Sequence, residues 1–365
     1  MRGLKILVLV ISLILSVTAL YAEEKIGAMT EDDIKKLLGL SVYLQGGYTY
    51  NFRNPDSQEN ELRAFDHKAD SLTLDLAQLV FSKDPVTGSL GFKLKLSAGE
   101  AAKWIHSAGL GTNTDAFDLT EAYLSYMAPL GKGLRFDFGK FVTFHGAEVI
   151  EAKDNPNYSR SFLFNYSIPF THTGLKISYP FSNVLSAYLY IVNGWDNTDD
   201  NNKGKTAGLS IGYAPFEHIA LTFNLMYGPE QDNNNSNNRF LFDWVGTIKP
   251  IKALSFILNT DYATEQEAAP DGSDAKWYGI ALIVKYDFND FSSLSLRTEY
   301  FKDDKGVRTG QPQALKEITL TPEFRIARSF ILRPEYRHDW SDKESFDSGS
   351  KKSQDTLALG VMYTW

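Results

Sequence analysis

Three short segments late in the chain echo one another: LRTEYF (296–301), LTPEFR (320–325) and LRPEYR (332–337). In and around them the odd positions carry charge: Arg297 and Glu299, then Glu317, Glu323 and Arg325, then Arg333, Glu335, Arg337 and Asp339. The even positions between them are mostly apolar, as at Leu294, Leu296, Tyr300, Leu320, Phe324, Leu332 and Tyr336. Such alternation sets one row of a β-strand against an apolar medium and the other against water or other charges. The charged row has two uses. Opposite charges on neighbouring strands brace a wall, and Glu323 falls roughly opposite Arg333 if Ala327 and Arg328 close a hairpin. A charged row facing a channel instead sets a local field for passing ions. On that second reading Arg297, Glu299, Glu323, Arg325, Arg333, Glu335 and Arg337 are candidate pore-lining residues. Pro322 and Pro334 each remove a backbone donor, so a bulge or distortion is expected among them.

Other chemistries find less support. Cysteine is absent, which excludes disulfides and thiolate catalysis. The six histidines, at 67, 106, 145, 172, 218 and 338, show no paired zinc-helix spacing. Neither a G-x-S-x-G elbow nor a phosphate-binding P-loop occurs. The segment DNTDDNNKG (196–204) is acidic but does not place a Gly and a distal Glu as an EF-hand does, and it reads with EQDNNNSNN (230–238) as solvated loop. A membrane enzyme would need a nucleophile or acid beside a histidine. His145 near Glu148 and His338 beside Asp339 are the available pairs, and neighbours on one strand point to opposite faces. No cofactor or metal is expected.

The elements that position these residues are strands. HIALTFNLMYG places Ile219, Leu221, Phe223, Leu225 and Tyr227 on one face, and NRFLFDWVGTI does the same with Phe240, Phe242, Trp244 and Ile248. Sixteen such segments are expected, near 40–52, 70–83, 89–99, 118–128, 134–142, 171–179, 184–194, 205–213, 218–228, 239–249, 253–264, 275–287, 291–302, 313–326, 329–340 and 353–365. Their connections alternate in length. DPVTG, PLGKG, PFSN, PFEH, PIK, NDF and AR are short; 53–69, 100–117, 143–170, 195–204, 229–238, 265–274, 303–312 and 341–352 are long and polar. A soluble sandwich has no reason to sort its loops this way. A transmembrane barrel does, with short periplasmic turns and long extracellular loops. The expected fold class is therefore all-β, a closed antiparallel transmembrane β-barrel of about sixteen strands.

Composition agrees. After the first 22 residues no stretch of 18 apolar residues occurs, which excludes a helical membrane protein. Aromatics reach 13%, enough for belts at both membrane interfaces. MRGLKILVLVISLILSVTALYA reads as a secretory signal peptide over 1–22. Residues 23–39 then form a short periplasmic segment with a helix in TEDDIKKLLG, and 40–365 the barrel. Loss of Arg2 and Lys5 with the signal takes the net charge from −8 to −10, which argues against nucleic acid. The final strand, DTLALGVMYTW, alternates Leu357, Leu359, Val361, Tyr363 and Trp365 with smaller residues. It is expected to close against the first strand, because an open edge in lipid leaves backbone groups unsatisfied. Its ending resembles the signal by which bacterial assembly machinery recognises such barrels.

Two long stretches carry a wider likeness: GGYTYNFRNPDSQENELRAFDHKADSLTLDLAQLVFSK (46–83) and GKFVTFHGAEVIEAKDNPNYSRSFLFNYSIPFTHTGLKISYPFS (139–182). With VNGWDN, LKEITLTPEFR, EYRHDW and the last strand, they resemble the OmpL-like family of β-barrel porins over almost the whole mature chain. The resemblance implies an outer-membrane barrel with pore function, in contact with membrane lipid and lipopolysaccharide. It supplies no substrate and no catalytic residues.

The longest connection, 143–170, is the third long one. In sixteen-stranded general porins the third loop folds inward and narrows the channel, and the same is expected here by likeness of architecture. This loop carries Glu148, Glu151, Lys153, Asp154 and Arg160 as candidate constriction residues. Phe162, Phe164, Tyr166 and Phe170 follow, and aromatics at that density are unfavourable in a solvent-facing loop. The expected function is a porin for passive diffusion of small hydrophilic solutes and ions, not an enzyme, with a homotrimer expected by analogy alone. A surface adhesin or structural barrel is the alternative, and a barrel enzyme is a weaker one.

Overall fold

The computed structural model describes residues 39–365 except Asn113 and Arg328. The expected signal peptide and the helix of TEDDIKKLL lie outside the described residues. Sixteen strands follow one another: β1 Leu40–Asn51, β2 Leu72–Lys83, β3 Leu90–Ala98, β4 Phe117–Ala128, β5 Leu134–Val142, β6 Thr171–Pro180, β7 Leu185–Val192 and β8 Thr206–Phe216 form the first half. The second half is β9 Ile219–Pro229, β10 Asn238–Ile251, β11 Leu254–Glu265, β12 Ala275–Asn289, β13 Ser292–Asp303, β14 Gln313–Ala327, β15 Phe330–Ser341 and β16 Ser353–Thr364. Each pairs antiparallel with its sequence neighbour, and β1 pairs with β16, so the sheet closes. The closing register runs from Tyr43↔Thr364 to Asn51↔Thr356. A closed ring has no edge, the condition a sheet must meet in lipid.

Period-2 patterning explains why these residues make these walls. On β16 Leu357, Leu359 and Tyr363 are exposed outward, while Gln354, Thr356, Ala358, Gly360 and Met362 are buried inward. The strand ends depart from sequence expectation by a few residues at most. The largest departure is β8, which runs on to Phe216 because its pairing with β9 resumes after an irregularity between Tyr213 and Phe216. The two prolines act as expected on the ladder. Between β14 and β15 the pairing runs to Leu320↔Tyr336 and resumes at Phe324↔Leu332 in the same register. The gap holds Pro322 and Pro334, neither of which has an N–H to give. Register therefore survives, and Glu323 falls opposite Arg333.

The hydrophobic core lies inside the barrel. Phe162, Leu163, Phe164 and Ile168 from the loop 143–170 pack with Tyr43, Leu76, Trp277 and Phe301 of the wall. The loop 52–71, polar on sequence, also turns inward: Ala64, Phe65 and Ala69 are buried, and Phe65 packs on Phe164 and Phe170. One short α-helix among the described residues, α1 Glu100–Trp104, packs against β2, β3 and β4.

Candidate functional site: the loop inside the barrel

The loop 143–170 crosses the lumen and is held by side chains from many strands. At its start the N–H groups of Gly146 and Ala147 donate to Asp243 on β10 and Asn259 on β11, at 3.0 and 2.9 Å. Glu148 then meets Arg297 on β13 at 2.7 Å. The chain next reaches the far wall, where Glu151 meets Lys95 on β3 and accepts from Gln78 on β2, both at 2.8 Å. It returns along β14 and β15. Asn157 donates to Thr321, and the N–H groups of Tyr158 and Ser159 donate to the Glu335 carboxylate at 2.7 and 2.9 Å. A single wide helical turn, Leu163–Ser167, starts with the N–H groups of Phe162 and Leu163 on the two oxygens of Glu299, at 2.6 and 2.5 Å. The first N–H groups of a helical turn lack partners of their own, so a wall carboxylate serves as the cap.

The arginines do the converse for the carbonyls. Arg297 donates to Glu317, Glu148 and the Ser159 carbonyl, each at 2.7 Å. Arg333 pairs with Glu323 and donates to the carbonyls of Ala152 and Asn157. Arg337 pairs with Asp339 at 2.6 Å and donates to the Arg160 carbonyl at 2.6 Å. Loop backbone inside the barrel has no lattice of its own, and buried polar groups without partners are costly. The charged row supplies those partners.

Tyr158 fixes the loop laterally. Its hydroxyl donates to Asp75 on β2 at 2.6 Å, and its ring lies over Gly47 and Gly360, which face each other across the β1–β16 closure. A Cβ at either glycine would stand 2.1 Å from the Tyr158 hydroxyl oxygen or 2.4 Å from its Cδ2, so only glycine leaves room for the ring at this seam.

The residues singled out on sequence therefore separate. Arg297, Glu299, Glu323, Arg333, Glu335 and Arg337 all point inward and all are buried beneath the loop or in wall pairs; Arg325 is the half-exposed one, paired with Glu323 at 2.9 Å. Within the loop, Glu148 and Glu151 are tied to the wall. Arg160 closes the loop on itself, donating to the carbonyls of Val149, Tyr158 and Ile150. Lys153 and Asp154 form an exposed pair at the loop tip. The histidine pairs do not assemble. His145 is buried with no hydrogen-bond partner for either ring nitrogen among the described residues, and burial holds its imidazole well below the usual range. His338 contacts Asp355 at 2.8 Å and not Asp339, which lies inward with Arg337.

Several inward groups went unnoticed on sequence: Arg63, which pairs with Asp66 and Asp339 from the loop 52–71, and Lys93, Lys95, Glu121, Arg135, Asp137 and Lys176 on β3 to β6. Alternation in FKLKL (92–96) was a signal for two of them.

A closed ring of sixteen antiparallel strands, apolar outside and polar inside, with its longest loop laid across the lumen, is the architecture of an outer-membrane porin. The chain belongs to the family described as "Putative beta-barrel porin-2, OmpL-like", matched over residues 38–365. No curated protein matches it. Among solved structures, it is similar to an anion-selective porin from Comamonas acidovorans, with a TM-score of 0.63 and 10% identity over 89% of this chain and 98% of that one. It is similar to OmpF of Salmonella typhi, solved with daunomycin, with a TM-score of 0.63 and 13% identity over 89% of this chain and 97% of that one. The trimer form of OmpT, an outer membrane protein of Vibrio cholerae, gives a TM-score of 0.57 and 14% identity over 89% of this chain and 98% of that one. At these low identities the TM-scores show a shared fold. Family and fold together make this chain an outer-membrane channel protein.

Proposed function

We propose that the protein is a passive diffusion porin whose size limit is set by the loop 143–170, and that it performs no chemistry on its solutes. The observation that carries this reading is the anchoring of the loop backbone by Glu299, Glu335, Arg297, Arg333 and Arg337. A loop held at so many points stays in place while solute passes beside it. In this reading the buried row of charge is an anchor, and the open lumen lies on the other side of the loop. At sixteen strands a barrel is wide enough for an aqueous channel even with one loop inside. Deletion of 148–160 removes most of the crossing segment, and single-channel conductance in planar bilayers should rise; an unchanged conductance would remove the loop from the solute path.

The outward rows of Leu, Phe and Tyr fit membrane lipid and lipopolysaccharide, and the strand ending at Trp365 fits recognition by the barrel assembly machinery. A homotrimer is supported by the trimer form of the similar OmpT. Native mass measurement in mild detergent should give three chains per particle; a monomer at all concentrations would contradict it.

A further inference from the structure

The lumen wall has two unlike halves. On β13 to β15 the inward charges other than Arg325 are buried beneath the loop or in wall pairs. On β3 to β6 Lys95, Lys140 and Asp118 are buried, but other charges stay partly open, and they are arranged unequally by sign. Lys93, Arg135 and Lys176 keep 29%, 24% and 21% of their side chains exposed, whereas their partners Glu121 and Asp137 keep 3% and 0%. The pairs are close: Lys93–Glu121 at 2.8 Å, Arg135–Asp137 at 2.7 Å and Lys176–Asp137 at 2.8 Å. Glu121 also meets Lys95 at 2.9 Å, so each of these two carboxylates is shared between two cations. The carboxylates lie against the wall and the cations stand in front of them. Lys176 is steered further by the rings of Tyr123 and Phe141, 5.4 and 5.3 Å from its ammonium. Arg325 repeats the arrangement across the lumen, 41% exposed in front of Glu323 at 3%. Exposed acids are present too, each beside a cation: Asp84 in the turn after β2 meets Arg135 at 3.3 Å, Asp287 near the end of β12 meets Lys285 at 2.8 Å, and Asp154 on the loop meets Lys153 at 2.6 Å. Each is matched by its own cation, so Lys93, Lys176 and Arg325, whose carboxylate partners are buried, remain the uncovered charges.

A fixed charge on a low-dielectric wall concentrates ions of opposite sign in the water beside it. The chain as a whole carries −8, but the water in the lumen meets its cations first. We infer that the channel favours small anions, inorganic or carboxylate, over cations, and that Lys93, Arg135 and Lys176 are the specificity-determining residues. The inference rests on the diffusion-channel reading and deepens it. The buried arginines Arg297, Arg333 and Arg337 take no part, since their charge is spent on the loop.

The test is the zero-current potential of the full chain in planar bilayers under a KCl gradient. Wild type should show chloride preference. The triple variant K93Q/R135Q/K176Q should lower the chloride-to-potassium permeability ratio by about fivefold or more, the scale of one unit charge met at about 4 Å in water. Lys316→Gln, on the outward face of β14, should leave the ratio unchanged. If the triple variant does not insert, Lys93→Gln and Lys176→Gln singly should each move the ratio the same way by less. A conducting wild type that prefers potassium, or a conducting triple variant with the wild-type ratio, overturns the inference and leaves the channel reading standing. A wild type without conductance steps overturns the channel reading and the inference with it.

Discussion

At the scale of the residue, Arg297 shows how one side chain can look like pore lining and act as an anchor. Its guanidinium is fully buried and gives donors to two carboxylates, one carbonyl and the Ser159 hydroxyl. Planar guanidinium donors suit that task better than an ammonium would. Substitution by methionine keeps the length and the apolar stem but leaves Glu148 and Glu317 facing each other without this cation. Breaking a buried pair from one side typically costs about 3–5 kcal/mol. The outer wall is braced by neighbouring strands on both sides, so the loss should fall on the loop. Arg297→Met should therefore leave the barrel folded, speed proteolytic cleavage within 148–160, and give larger and noisier single-channel currents. Cleavage and currents equal to wild type would mean the anchor contributes little.

At the scale of the element, the strands were legible because each repeats the same instruction every second residue. β13, β14 and β15 alternate charge and apolar surface so regularly that direction, face and the gap at Pro322 and Pro334 all follow. The inward fold of 143–170 was expected from its likeness to the third loop of general porins and from Phe162, Phe164, Tyr166 and Phe170, too dense for a solvent-facing loop, though packing over the rim or on a neighbouring subunit would have hidden them as well. Which wall the loop would take was not legible. Glu299 and Glu335 bond to the backbone N–H groups of Phe162 and Ser159, far away in sequence, and backbone groups leave no mark in a side-chain pattern. The open wall was missed for a different reason. Lys93, Arg135 and Lys176 come one to a strand, so they form a patch only after β3, β5 and β6 are set near one another. The loop 52–71 hid its inward turn behind a polar composition, although Asn60, Arg63, Asp66 and His67 are buried along with Ala64, Phe65 and Ala69.

At the scale of the whole molecule, the proposed pore is a barrel partly filled by its own loops, with water beside them. The loop 143–170 is fastened to β13 and β15 and reaches β3 through the Glu151–Lys95 pair, and the proposed solute path runs beside it. Val149 on this loop is 42% exposed, while Phe162 is fully buried. Because the chain contains no cysteine, a single Val149→Cys gives a unique thiol. A charged thiol reagent added to single Val149→Cys channels in a bilayer should lower their conductance in discrete steps and leave wild type unaffected. Complete labelling, verified by mass, with the conductance unchanged would place the loop outside the solute path and contradict this account of the pore.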